Sequence, residues 1–238
     1  MEVAILLIFY FLLLLYSIIL HEISHGLIAL KLGDHTAKLA GRLTLNPKTH
    51  VDPIGSIAVP IVMYMTAGFA FGWAKPVPFN PYNLRYKKWG PVLVALAGPG
   101  MNFLLAFLFA ISGKMMPLLG VQKREILNEL ITGNWEALAS DVSGSLAAIV
   151  FLFCAMAIFW NVLLGIFNLF PIPPLDGSKL IFAVFNVPED IQMKFEQWGL
   201  FILIGILFLL PMMGVTFVSE FLSQALNYAW NFFFQMML

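Results

Sequence analysis

Residues 3–32 read VAILLIFYFLLLLYSIILHEISHGLIALKL, and this stretch decides the fold. Its first eighteen residues carry no charge, which is the length and composition of a membrane-spanning helix. The rest of the chain agrees. Of 238 residues, 61% are hydrophobic and 11% are charged, against about 25% charged in a soluble domain. That deficit is too large for a surface facing water, so the chain is read as an all-α polytopic membrane protein with about four to six transmembrane helices. The opening MEVAILLIFY has neither a basic leader nor a small-residue cleavage site, and is read as a retained span. Formal net charge is zero, which gives no sign of a nucleic-acid partner. The one cysteine, Cys154, excludes an internal disulfide and any cysteine-rich zinc site.

Outward from the first stretch, further spans are expected at about Pro91–Ser112, Ser145–Phe167 and Trp198–Val218. The polar loop between Gly113 and Gly144 is expected to be partly helical around Lys123–Leu130. Residues 54–71 form a shorter apolar segment interrupted by Pro60. Lys31, Lys38, Arg42 and Lys48 precede it, and Lys75, Arg85, Lys87 and Lys88 follow it. Lysine and arginine concentrate on the cytoplasmic side of short loops, so two basic flanks argue for one side. The segment is therefore expected to re-enter as a hairpin, in β form or otherwise non-helical, with Pro60 near the turn; a true span that breaks the charge rule is the alternative. Non-helical backbone at membrane depth is tolerated where it lines protein or a watery cavity. On this reading the segment walls the site and offers an edge to an extended substrate strand. The N-terminus then lies outside and the site near the cytoplasmic face. Residues 1–218 are expected to form one domain. In residues 219–238 polar residues recur about every fourth position, the pattern of an amphipathic interfacial helix.

The chemistry is concentrated in His21-Glu22-Ile23-Ser24-His25. Histidines four apart lie on one helix face, one turn apart, where both imidazoles reach one cation. Glu22 adjoins the first ligand, placed to act as general base on water at the metal. Ionisable residues within a span are costly and mark function. At 1.5 Å per residue, His21 lies roughly 27 Å along the helix from Val3, near the inner edge of a core about 30 Å thick. A catalytic zinc needs a third protein ligand. His35 and His50 lie in the following polar loop, while Asp176, in the proline-rich PIPPLDG, follows a span that returns to the same side. Two neutral imidazoles, one carboxylate and a hydroxide would leave Zn²⁺ without net charge, which lowers the cost of holding it in a low dielectric.

HEISH in a first span and NLFPIPPLDG after a later one resemble the site-2 protease family of intramembrane metalloproteases, in the compact prokaryotic form without PDZ or CBS domains. AGPGMN at 97–102, GRLTLNPKTHVDPIGS and GWAKPVPFNP are also similar to segments of that family. The resemblance covers most of residues 17–180. It implies a zinc metalloendopeptidase that hydrolyses peptide bonds in or near transmembrane segments of other proteins, in regulated intramembrane proteolysis. It implies one Zn²⁺ per chain held by His21, His25 and Asp176, with Glu22 as general base. Asn102 and Asn168 would orient substrate or stabilise the oxyanion, or else cross-link helices. The implied partners are a transmembrane protein or peptide substrate and the lipid bilayer, with a prokaryotic plasma membrane as the location. Oligomeric state stays open. The competing reading is a zinc carrier or sensor that binds the metal without hydrolysis.

Overall fold

The structure is a computed structural model that describes residues 2–67 and 72–238. Among these residues there are helices and no strands. Four helices are long and apolar enough to cross a membrane: α1 (Glu2–Lys31), the helix Gly90–Lys114, the helix Leu146–Asn168, and a helical run from Glu189 to Met212. The chain is a multi-pass membrane protein, as its composition requires. Many large apolar side chains are exposed, among them Ile5, Ile8, Phe9, Phe11 and Leu12 of α1. On a helix of this length such a surface is satisfied by lipid rather than by protein.

In chain order after α1 come α2 (Val59–Ala67), α3 (Gly90–Lys114), α4 (Gly120–Thr132), α5 (Trp135–Val142), α6 (Leu146–Asn168), α7 (Gly177–Val184), α8 (Glu189–Ile204) and α9 (Phe217–Met237). A wide turn at Gly205–Leu209 and a short helix at Leu210–Met212 extend α8. The expected spans at 3–32, 91–112 and 145–167 match α1, α3 and α6 closely. The last span differs. It begins at Glu189 rather than Trp198 and ends at Met212, because Pro188 stands at the N-cap and Glu189 and Asp190 open the helix. Hydropathy located its apolar part, but the capping residues set where the helix starts. The loop expected to be partly helical holds two helices, α4 and α5.

The chain divides into two compact units, residues 1–17 with 99–238, and residues 18–98. The larger unit has a continuous core of Ala106, Ile126, Leu138, Phe151, Leu152, Met156, Ile158, Val162 and Phe233. Two polar devices fasten it. Lys123 of α4 is buried and donates to Gly113 O (3.4 Å), Lys114 O (3.1 Å) and Met237 O (3.1 Å). One ammonium thus serves the carbonyl ends of both α3 and α9, where a positive charge is favoured. Second, α9 docks on α6 through a stacked pair, Phe159 and Trp230, with centroids 4.7 Å apart. Trp230 Nε1 donates to Phe159 O at 3.2 Å. The C-terminal helix expected from its polar spacing is therefore present, with Phe233, Phe234 and Met237 buried.

The smaller unit holds the end of α1, the polar loop, α2 and the start of α3. Its small core is Ala29, Leu84 and Val94. Here the re-entrant segment takes a form the sequence reading did not favour. Residues 53–58 are a wide helical turn and 59–67 are α2, so the described part offers no strand edge. The reason is local. Asp52 Oδ1 accepts from Ile54 N (2.8 Å) and Gly55 N (3.0 Å), and Pro53 occupies the first helical position. An aspartate N-cap followed by proline starts a helix. Pro60 lies in the first turn of α2, not at the return; residues 68–71 of the segment lie outside the described residues. The ends nevertheless meet. Trp73 N donates to Gly55 O at 3.0 Å, Ser56 Oγ to Trp73 O at 2.8 Å, and Lys75 N to His50 O at 2.9 Å. A helical stretch of 14 residues, Pro53–Thr66, spans about 21 Å, short of a core about 30 Å thick. The chain leaves and returns at one place.

Candidate metal centre

The site begins with α1, whose second half carries His21 and His25 one turn apart and Glu22 next to the first. One ligand atom from each lies within 4.8 Å of the others, the one such group of three or more found among the described residues. The two imidazoles stand 4.6 Å apart at 88° to one another. His21 is buried, and Glu22 and His25 are half-buried. A tetrahedral zinc with Zn–N bonds of about 2.0–2.1 Å needs its nitrogens about 3.4 Å apart, which the cluster accommodates.

Two neighbours from the start of α3 prepare these ligands. His25 Nδ1 lies 2.7 Å from Val94 O. A carbonyl only accepts, so Nδ1 carries the hydrogen and Nε2 the lone pair, the arrangement in which histidine binds a metal. Gly98 faces both rings. A Cβ there would lie 2.5 Å from Nε2 and Cε1 of His21 and 2.6 Å from Cε1 of His25. Only hydrogen fits between this helix and the imidazoles. Within AGPGMN, sequence reading had singled out the motif but assigned no role to Gly98; a glycine amid the apolar residues of a span was the available signal. The donor set, the fixed tautomer and the space kept by Gly98 fit zinc.

Glu22 is held from the loop side. Its Oε2 accepts from Val77 N at 2.8 Å. The loop is tied in turn by Asp34, which is fully buried and accepts from Thr36 Oγ1 (2.6 Å), Asn83 Nδ2 (3.0 Å) and Asn80 N (2.7 Å). Burial pushes the Asp34 carboxyl up. The hydrogen bonds from Thr36, Asn83 and the Asn80 and Thr36 backbone outweigh that and hold it below the usual carboxylate range.

The weaker ligand candidates fall elsewhere. His35 is exposed, with Nδ1 3.2 Å from Gly33 O. His50 is buried and its Nε2 bonds Thr44 O at 2.8 Å, closing the TLNPKTH loop. The cluster contains neither.

The remaining expected residues belong to the larger unit. Asp176 is the N-cap residue of α7, yet its side chain makes no capping bond to that helix. The turn around it is tightly built. Ser178 Oγ donates to Leu175 O at 2.7 Å, the Pro173–Pro174 bond is cis, and a Cβ on Gly177 would lie 2.1 Å from Leu169 O. Asn102 is fully buried in α3 and donates to Asn161 Oδ1 of α6 at 2.8 Å. Asn161 Nδ2 donates to Ser17 Oγ of α1 at 2.9 Å and to Ala157 O at 2.8 Å. Three spans are thereby cross-linked by polar side chains in an apolar medium. Sequence reading missed Asn161, whose signal was an amide inside a 23-residue apolar helix. Asn168, half-buried at the end of α6, donates to Leu164 O at 2.9 Å.

Comparison with known proteins places this geometry in a family. The model of peptidase family M50 matches residues 9–211. "Putative zinc metalloprotease YwhC" of Bacillus subtilis is 36% identical over 202 residues, covering 84% of this chain and 79% of that protein. "Putative zinc metalloprotease Rip2" of Mycolicibacterium smegmatis is 30% identical over 200 residues, covering 83% of this chain and 65% of its own length. No solved structure matches. A paired-histidine helix with its adjacent glutamate, set in a multi-pass membrane scaffold and matched over most of its length, identifies this chain as a member of peptidase family M50, the site-2 protease family.

Proposed function

We propose that this protein is a zinc metalloendopeptidase that hydrolyses peptide bonds in or near the transmembrane segments of other membrane proteins, with one zinc ion held by His21, His25 and Asp176. The observation that carries the reading is the prepared ligand pair on α1. His25 has its tautomer set by Val94 O, both rings are given room by Gly98, and a carboxylate lies within 4.8 Å of both. The names of the relatives support the metal and the reaction class. Asp176 is assigned the third position by the resemblance of NLFPIPPLDG to the family's second motif, on a loop fixed by close packing.

Bound zinc supplies Lewis acidity, polarising a carbonyl and activating water. The residues of the chain do the rest. Glu22 takes the proton of the attacking water and delivers it to the leaving amine. The Val77 N–H fixes one Glu22 oxygen, leaving the other to receive the proton. Asn168, half-buried, has a second amide hydrogen to offer substrate. Asn102, fully buried and engaged with Asn161, serves the scaffold. A substrate helix hides its carbonyls in its own hydrogen bonds, so it must unwind to present one. The site works from the cytoplasmic side, on the basic-loop argument, and the membrane is a prokaryotic plasma membrane, on the family resemblance.

The test is Glu22→Gln in the purified full chain, assayed for zinc content and for cleavage of a co-expressed single-span protein. The protease reading expects retained zinc and no cleavage. Cleavage at the wild-type rate by this variant would overturn it in favour of a carrier or sensor, which has no need of the carboxylate.

A further inference from the structure

The loop after the re-entrant segment, Trp73 to Asn80, runs past the functional face of α1 and is fastened on both sides of a single residue, Val77. On one side, Arg42 Nη2 donates to Lys75 O at 2.6 Å and Lys75 N donates to His50 O at 2.9 Å. On the other, Asn80 N donates to Asp34 Oδ2 at 2.7 Å. Arg42 and Asp34 are 7% and 0% exposed, so neither is a surface charge that happens to reach the loop. Between the fastened positions Lys75 and Asn80 stand Phe79 and the tripeptide Pro76–Val77–Pro78. Proline has no N–H and a fixed φ, so Val77 holds the one backbone donor of the tripeptide. That donor is 2.8 Å from Glu22 Oε2. The Val77 side chain is itself buried, against Gly26 one turn along α1 from Glu22.

A glutamate side chain has three rotatable bonds, and a general base must lie within hydrogen-bond reach of the proton it takes. We propose that Arg42 and Asp34 are positioning residues for peptide hydrolysis: they hold the Pro76–Val77–Pro78 segment so that the Val77 N–H fixes the Glu22 carboxylate. Neither residue touches substrate or metal in this scheme; both act through the loop backbone. The basic loop before the re-entrant segment and the proline-rich loop after it thereby acquire a shared task. The inference rests on the reading of Glu22 as general base.

The experiment uses the full zinc-loaded chain in lipid nanodiscs with a single-span membrane substrate, measuring kcat, KM and bound zinc. Val77→Pro removes the N–H, whereas Val77→Ala trims the side chain and keeps it. The kcat of Val77→Pro is expected to fall about 10–100-fold below that of Val77→Ala, the usual cost of losing an outer-shell partner, with KM and zinc content matching between the two. Arg42→Ala should lower kcat in the same way and Arg42→Lys should restore most of it. Equal kcat for the two Val77 variants, or a loss expressed only in KM or zinc, overturns the proposal. Should Val77→Pro fail to fold, the Arg42 pair decides: equal kcat for Ala and Lys overturns it, and rescue by Lys supports it. Glu22→Gln separates the two layers. If that variant stays active, the general-base reading itself fails. If it is inactive while Val77→Pro matches Val77→Ala, only the clamp fails.

Discussion

Gly98→Ala should remove the metal without unfolding the protein. The added Cβ would lie 2.5 Å from His21 Nε2 and 2.6 Å from His25 Cε1, where ordinary contact begins at 3.4 Å. Each ring must retreat by about 0.9 Å, well beyond the tolerance of about 0.2 Å for a metal-ligand distance. His25 cannot retreat without stretching its 2.7 Å bond to Val94 O. The Cβ sits on a helix backbone, so it does not yield either. A misplacement near 1 Å costs about 100-fold in rate, and zinc affinity should fall with it. Overpacking of this kind costs about 1–3 kcal/mol, offset in part by the preference of a helix for alanine over glycine of about 1 kcal/mol, so the fold should survive with a modest loss of stability. Gly100→Ala is the matched control, since nothing lies within 4 Å of its added Cβ. Zinc stoichiometry of both purified variants, with thermal unfolding and substrate cleavage, makes the test. If Gly98→Ala binds a full equivalent of zinc and cleaves at the rate of Gly100→Ala, the close-approach argument is wrong.

Gly177→Ala would drive a Cβ to 2.1 Å from Leu169 O and so swing Asp176, its neighbour; the expected result is weakened zinc retention during dialysis against a chelator, with helix content by circular dichroism preserved. Asn161→Leu removes the bonds to Asn102, Ser17 and Ala157 O. At about 0.6–2 kcal/mol for each interhelical bond, unfolding in mild detergent should shift by several degrees; no shift would show that the buried network is idle. Asp34 gives the acid limb of stability. Its folded carboxyl titrates below its ordinary range, so its contribution is complete above a pH of about 4 and is lost as pH falls through the lowered folded value. Thermal scans from pH 7 to 3 should show a shallower acid decline for Asp34→Asn than for wild type. Lys123→Met removes the ammonium that donates to the carbonyls of Gly113, Lys114 and Met237. The end of α9 should then become the first site of limited proteolysis.

Periodicity and composition expose some features to a reader of the chain and hide others. The spans at α1, α3 and α6 were legible because hydropathy over about 20 residues is a local property. His21, Glu22 and His25 were legible because a helix converts spacing of four into one face. The form of residues 53–67 was misjudged. Apolar composition and Pro60 suggested a turn, while the Asp52–Pro53 cap, which starts a helix, carried the deciding information. The start of α8 was missed for a similar reason, in the Pro188–Glu189–Asp190 cap. Asn161 and Gly98 could be seen only as unusual residues within apolar runs, since their partners stand 59 and 144 residues away in the case of Asn161 and over 70 in the case of Gly98.

The sequence by itself determined that the chain crosses a membrane and carries two histidines one turn apart on one helix face with an adjacent carboxylate, because burial in lipid and helical periodicity are written in nearest-neighbour order. Tertiary structure alone decided which nitrogen of His25 bears the hydrogen, why residue 98 has no side chain, and what holds Glu22. Those depend on Val94, Gly98 and Val77, which reach α1 from 55 to 77 positions further along the chain. A carbonyl, a missing methyl group and a backbone N–H have no side-chain signature for a sequence to display.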